Sequence, residues 1–148
     1  MKRVLKVLLI GVISLGLITG CSKEKTKINA EEFYNRVNND YKLKDYTNQV
    51  GYVNKAYVYQ DANIYFYYYE GKRAFDMGNI YIDEVNSAAT SLFNKEEEID
   101  KGDNYSSIKI HNEETYIRVT NVDNTLLYAK SDMNNKKLVD ELFERCGY

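Results

Sequence analysis

The chain has 148 residues, with 20 basic and 22 acidic side chains, a formal net charge of −2 and 44% hydrophobic residues. This length accommodates one ordinary domain with a single core and leaves no room for a second. The acidic balance argues against nucleic acid as a partner, because nucleic-acid affinity depends on clustered Lys and Arg.

The first twenty residues have the pattern of a cleaved export signal. Lys2, Arg3 and Lys6 lie at or before the start of an uncharged run over residues 7–20. That run is shorter than the roughly 20 apolar residues that a helix needs to cross a bilayer, so a cleaved signal is favoured over a permanent span. We predict a signal peptide at residues 1–20, whose removal moves the net charge from −2 to −5.

The residues that end this signal carry a resemblance to a known family. Ile18, Thr19, Gly20 and Cys21 resemble the lipobox of bacterial lipoproteins. The resemblance implies cleavage between Gly20 and Cys21 and lipidation of the Cys21 thiol. A diacylglyceryl group supplies two acyl chains, which is enough for stable anchoring. The implied protein is held by lipid on Cys21 at the extracytoplasmic face of the cell membrane.

Composition adds a weaker indication of source. The chain has fifteen Tyr, no Trp and no Pro, with abundant Asn, Lys and Ile. This bias is typical of an AT-rich genome and points to a low-GC Gram-positive bacterium.

The mature chain begins with a predicted charged tether at residues 21–28, which alternates sign and has no evident core to join. A single domain at residues 29–148 follows. Asn29 and Glu32 form a capping-box pattern, and apolar residues then recur at helical spacing, which predicts a helix over residues 30–40. Residues 41–46 alternate apolar and polar, which favours a short edge strand.

The next segment predicts a tyrosine-rich β-hairpin. Residues 56–60 and 64–70 are β-rich runs, joined by a three-residue turn at 61–63. With this loop length Tyr59 lies opposite Tyr65, and five tyrosines share one face of the hairpin. We predict this face as a possible binding surface, because Tyr is common in binding surfaces. Its members are Tyr57, Tyr59, Tyr65, Tyr67 and Tyr69.

The rest of the chain alternates helices and strands. An amphipathic pattern interrupted by Gly78 predicts a helix over residues 72–93, followed by a polar, acidic loop over residues 94–104. A meander of three strands is predicted at residues 106–110, 115–121 and 125–130. A last helix over residues 134–146 ends at Gly147, with Cys146 as a small apolar residue of its final turn.

The predicted fold class is α+β: an antiparallel sheet of about five to six strands with three helices packed on one face. Phe66, Ile117 and Leu142 are predicted core residues. With the lipobox, this layout is similar to that of small uncharacterised lipoproteins of low-GC Gram-positive bacteria. The similarity is one of plan, so it implies no functional residue besides Cys21.

No motif in the sequence predicts a catalytic centre, a metal site or a cofactor. The favoured hypothesis is a non-catalytic interaction module that binds another envelope protein, a peptide or a wall polymer. The alternative is a small cell-envelope hydrolase or metal-dependent enzyme. That alternative depends on the single histidine, His111, and its neighbours Glu113 and Glu114, which we expect to lie in a solvated turn.

Overall fold

A computed structural model describes residues 23–88 and 94–148, with only the backbone described at residues 84–88. Within these ranges the chain forms three helices, seven strands and two short 3-10 turns, at Thr47–Gln49 and Met133–Asn135. None of the described helices is long and apolar enough to cross a membrane. The elements in chain order are α1 (Ala30–Val37), β1 (Lys44–Asp45), β2 (Lys55–Gln60), β3 (Ile64–Glu70), α2 (Ala74–Ala88), β4 (Glu96–Lys101), β5 (Tyr105–His111), β6 (Thr115–Val122), β7 (Thr125–Asp132) and α3 (Lys136–Cys146).

All seven strands belong to one antiparallel sheet in the order β1-β2-β3-β7-β6-β5-β4. The fold is therefore α+β, but the predicted count of five to six strands is wrong. The additional strand is β4, which lies where the sequence predicted an acidic loop. Pairing with β5 creates it, since Ile99 lies opposite Ile108 and the Lys109 ammonium lies 3.2 Å from a Glu98 carboxylate oxygen.

The helices cover both faces of the sheet, and the prediction that all three pack on one face is also wrong. Phe33 of α1 and Leu142 of α3 pack with Tyr68 and Leu127 on the face that we call the α1/α3 face. The other face, the α2 face, packs Ala74 and Tyr81 of α2 against alternate residues of the same strands. In the central strands β6 and β7 consecutive residues are buried, and these strands show no alternation of apolar and polar residues that would assign a helix to one side.

Helix ends follow the local signals of the sequence. The Asn29 side chain accepts a hydrogen bond from the Glu32 N–H (2.9 Å), and Glu32 accepts one from the Asn29 N–H (3.1 Å). This capping box starts α1 at the predicted residue. At the other end of the chain, Gly147 has a left-handed φ of 80° and ends α3, as its position after Cys146 predicted.

Gly78 allows α2 to approach the sheet closely. A Cβ atom at this position would lie 2.5 Å from Asn121 Oδ1 and 2.7 Å from Leu126 Cδ1. The glycine that lowers the helix propensity of this segment is thus the residue through which α2 packs on β6 and β7.

The tyrosine hairpin has a register that differs by one residue from the predicted one. Tyr59 lies opposite Phe66 rather than Tyr65. The cause is the turn: the Asp61 N–H donates to the Ile64 carbonyl (3.1 Å), and the Asp61 carboxylate accepts from the Ile64 N–H (2.9 Å). Because Asp61 still pairs with Ile64, the loop has two residues instead of three. A one-residue shift moves each side chain to the opposite face.

The predicted core residues are confirmed. Phe66 is fully buried, and Ile117 and Leu142 are buried on the α2 face and the α1/α3 face, respectively.

Candidate functional site

The described chain begins with a segment that is bound to the domain. Residues 23–28, which we call the tether segment, cross the loops at one end of the sheet. The Lys25 N–H donates to the Asn104 side-chain oxygen (3.0 Å), and the Asn104 amide nitrogen donates back to the Lys25 carbonyl (2.8 Å). The Asp103 N–H donates to the Lys23 carbonyl (2.9 Å). Two reciprocal bonds and a third next to them fix the backbone path.

The last residue of the tether segment enters the core. Ile28 is buried, and its carbonyl accepts a hydrogen bond from the Tyr68 hydroxyl (2.9 Å). The Lys27 ammonium donates to the Asn124 side chain (2.5 Å). The expectation of a tether without a core to join is therefore wrong for residues 23–28, because loop amides and a buried tyrosine satisfy its backbone groups.

These contacts define an end of the domain. β2, β5 and β7 begin there, and β3, β4 and β6 end there, so their loops lie side by side. We call this the tether end. It comprises residues 23–28, 51–54, 71–75, 102–104 and 123–124.

One depression lies at the opposite end of the sheet, and a second starts there at Met133 and runs along α3 to Glu144. One encloses about 360 Å³ and the other, along the outer side of α3, about 490 Å³; they share Met133. The first is lined by Asn94, Glu96, His111, Asn112, Glu113 and Met133. The second is lined by Met133, Asn134, Lys136, Lys137, Asp140, Glu141 and Glu144. Both present charged and amide groups to solvent.

His111 lies at the end of β5, half-buried, with Nε2 3.6 Å from a carboxylate oxygen of Glu96. Glu113 lines the same depression. Glu114 does not, and its carbonyl accepts a hydrogen bond from the Met133 N–H (2.7 Å). The structure thus brings together two of the three residues that the sequence singled out and adds Glu96. Within residues 23–88 and 94–148, no group of three or more His, Cys, Asp or Glu is arranged to hold a metal ion.

A polar cluster beside the second depression was not predicted. The Arg118 guanidinium donates to Asp140 (2.8 Å) and to the Tyr148 carbonyl (2.9 Å) and lies 4.5 Å from the Phe143 ring centroid. Its Nε atom is buried without a hydrogen-bond partner in the described structure. The sequence signal was an arginine inside the apolar run of β6, where an unpaired charge would be costly.

Asp140 is the acceptor at the centre of this cluster. Burial raises the pKa of its carboxyl, but hydrogen bonds from Lys136, Tyr116 and Arg118 outweigh burial and hold the pKa below its ordinary value of 3.8. Burial and the same carboxylate raise the pKa of the Tyr116 hydroxyl, which donates to Asp140 at 2.6 Å. A carboxylate held by three donors fixes α3 to β6 and serves as an acceptor rather than a base.

The five tyrosines predicted as one surface lie on two faces. Tyr57 and Tyr59 pack toward the α1/α3 face, and Tyr65, Tyr67 and Tyr69 pack toward the α2 face. Tyr57 and Tyr69 are buried, and the other three are partly exposed. The expectation of a single aromatic face is wrong, because the tight turn at Asp61 changes the register.

The tyrosines on the α2 face belong to a larger stack of rings. The rings of Tyr81 and Tyr128 are stacked with centroids 3.9 Å apart, and Tyr67 stacks on Tyr81 at 5.8 Å. The Tyr69 and Tyr81 hydroxyls are hydrogen-bonded at 2.7 Å. These contacts join β3 and β7 to α2, so the stack contributes to packing between sheet and helix.

Cys21, Gly20 and the rest of the predicted lipobox lie outside the described residues. The part of the chain that the structure describes begins two residues after Cys21, at Lys23.

No protein-family model and no curated protein sequence matches the chain. Among solved structures, the chain is similar to the crystal structure of a GTP binding regulator from Thermotoga maritima. The two share 14% sequence identity with a TM-score of 0.47, over 78% of this chain and 84% of that chain.

Proposed function

We propose that this chain is a lipoprotein, held by lipid on Cys21 at the extracytoplasmic face of the cell membrane, and that its domain binds another envelope component without catalysing a reaction. The partner is an envelope protein, a peptide or a wall polymer. The observation that carries the proposal is the spatial separation of the tether end from the first depression and from the Met133 end of the second.

The separation follows from the sheet. The Lys23 carbonyl is bonded to Asp103 at the tether end. His111 and Met133, which line the depressions, lie close to the other ends of β5 and β7. A strand rises about 3.3 Å per residue, so the seven residues of β5 hold the two ends on the order of 20 Å apart. A domain anchored at the first end therefore presents the second to the space beyond the membrane.

The depressions have the chemistry of a polar binding surface. Glu96, His111 and Asn112 line the first, and Lys136 and Asp140 line the second. These groups include hydrogen-bond donors and acceptors. Together they suit a partner that both donates and accepts hydrogen bonds, such as a peptide backbone or a hydroxylated polymer.

Lipidation is tested by changing Cys21→Ser in the full chain. We expect the variant to incorporate no labelled fatty acid, since Cys146 follows Glu144 and Arg145 and so lacks the lipobox residues that precede Cys21. Cys146→Ser is the matched control and should label as strongly as the wild type. Fatty-acid incorporation measured after immunoprecipitation decides the result, and a labelled Cys21→Ser variant would refute the anchor.

The binding surface is tested by photo-crosslinking in intact cells. A photoreactive amino acid at Glu113 or Asn134, in the two depressions, should give adducts with an envelope component. The same group at Lys44, on the exposed edge strand β1, should give none. Adducts from Lys44 alone would place the contact surface elsewhere and contradict the proposal.

A further inference from the structure

The tether end carries an exposed pair of aromatic rings accompanied by basic side chains. Tyr52 is 58% exposed and Phe75 is 53% exposed, although each is large and apolar enough to contribute to a core. The Arg73 guanidinium lies 4.8 Å from the Tyr52 ring centroid, and Lys72 beside it is exposed. Aromatic rings with basic neighbours are typical of surfaces that contact lipid headgroups.

The turn between β6 and β7 connects this aromatic surface to the tether segment. The Gly71 N–H donates to the Asn124 carbonyl (2.9 Å), and the Asn124 side chain accepts from the Lys27 ammonium (2.5 Å). The loop that carries Lys72 and Arg73, and that leads into Phe75 in the first turn of α2, is thus connected to the backbone that leads to Cys21.

The length of chain that precedes the tether segment limits the distance to the bilayer. Cys21 and Lys23 are two residues apart, and an extended chain spans at most about 3.5 Å per residue, so Cys21 lies within about 7 Å of Lys23. The Lys23 carbonyl is itself bonded to Asp103. Two acyl chains on Cys21 would therefore bring the tether end against the headgroups.

We propose that the tether end is a lipid-contact surface, on which Tyr52 and Phe75 enter the headgroup region and Lys72 and Arg73 face lipid phosphates. This inference rests on the proposed lipid anchor and adds a fixed orientation to it. Asp76, which accepts from Arg73 at 2.6 Å, lies beside the same loop and keeps this surface from being uniformly basic. The orientation of the domain on the membrane therefore depends mainly on the two rings and the short tether, and less on the basic side chains.

The absence of tryptophan from the sequence makes the orientation measurable. Tyr52→Trp and Phe75→Trp each place one fluorophore at the tether end. Leu138→Trp is the matched control: Leu138 is 47% exposed and lies near the start of α3, at the opposite end of the domain. Each lipidated full-length variant is reconstituted into phosphatidylglycerol and phosphatidylcholine vesicles, with or without bromine on the acyl chains.

We expect brominated lipid to quench Tyr52→Trp and Phe75→Trp emission about twofold and to leave Leu138→Trp unchanged, since a ring at the headgroup level contacts the upper acyl chains. Equal quenching of all three, or quenching of Leu138→Trp alone, would overturn the orientation. So would an absence of quenching at both tether-end positions.

Two further measurements separate failure of the anchor from failure of the orientation. The mass of the N-terminal peptide reports the lipid on Cys21, and vesicle flotation reports attachment. If Cys21 carries no lipid, the proposed function fails and the orientation fails with it. If the lipid is present and the vesicles float with protein but Tyr52→Trp and Phe75→Trp are not quenched, only the lipid-contact surface is wrong.

Discussion

Arg118 is a single side chain whose contacts connect several parts of the fold. It is a buried charge that meets a carboxylate, a backbone carbonyl and an aromatic ring. A buried charge is costly unless hydrogen bonds satisfy it, and Arg118 leaves one nitrogen unsatisfied. Its contacts join β6 to α3 and to the end of the chain, so it determines how the last helix sits on the sheet.

We predict that Arg118→Leu lowers the free energy of unfolding by about 3 kcal/mol, because it leaves Asp140 and the Tyr148 carbonyl with fewer partners. Leucine retains apolar contact with Phe143. The measurement is urea denaturation followed by circular dichroism. The control is Lys137→Leu, which removes an exposed ion pair to Glu141 at 3.7 Å and should cost less than about 0.5 kcal/mol. Equal effects of the two substitutions would contradict the structural role of Arg118.

Helix ends that depend on signals within a few residues could be predicted from the sequence. Asn29 with Glu32 and the terminal Gly147 are such signals, and each marks a helix end in the structure. Asp61 shows the limit. Its carboxylate tightens the hairpin by one residue, and alternative loop lengths of the same sequence place the tyrosines on different faces.

At the scale of elements, the tether segment behaves as part of the domain although it has no regular secondary structure. Its backbone is held by side chains of the β4–β5 loop, above all by Asn104, which bonds Lys25 in both directions. An irregular segment can be ordered when its polar backbone groups are satisfied in this way.

We predict that Asn104→Ala loosens this segment and costs about 1 to 3 kcal/mol, because two hydrogen bonds to a partly buried backbone are lost. Hydrogen exchange at the Lys25 amide should accelerate. Asn54→Ala is the control, since Asn54 lies at the same end of the sheet and its side chain makes no hydrogen bond within the described residues. Unchanged exchange at Lys25 in Asn104→Ala would show that other contacts hold the segment.

β4 shows why the sheet could not be predicted in full. Three consecutive glutamates have low strand propensity, and their side chains are exposed, so no local pattern indicates a strand. The strand exists because β5 offers an edge with Ile108 and Lys109 at matching positions. The partner strand lies in another segment of the chain, and local propensity and periodicity contain no information about it.

At the scale of the whole molecule, helices on both faces bury most side chains of the central strands. Cys146 is a buried residue of α3, and burial raises the pKa of its thiol to about 12. A thiol with that pKa is almost entirely protonated at neutral pH and is a poor nucleophile.

We predict that maleimide labels Cys146 in the folded protein only as fast as the domain unfolds. Mass spectrometry of the protein in increasing urea should show labelling of Cys146 that rises with the unfolding transition. Leu138→Cys, an exposed position on the same helix, supplies the control and should label at once. Labelling of Cys146 at the rate of Leu138→Cys in native buffer would show that α3 opens locally.

The sheet order imposes a sequence of events on folding. β1 to β3 pair as sequence neighbours, and so do β4 to β7, but β3 and β7 join Ile64 to Ser131 across most of the domain. Contacts so distant along the chain form late, because the loop between them has to close first. If the chain is exported as we propose, starting from its N-terminal region, the region of Cys21 emerges long before β7. In that case lipid would be transferred to Cys21 on an unfolded chain, and the last hairpin to emerge would complete the sheet.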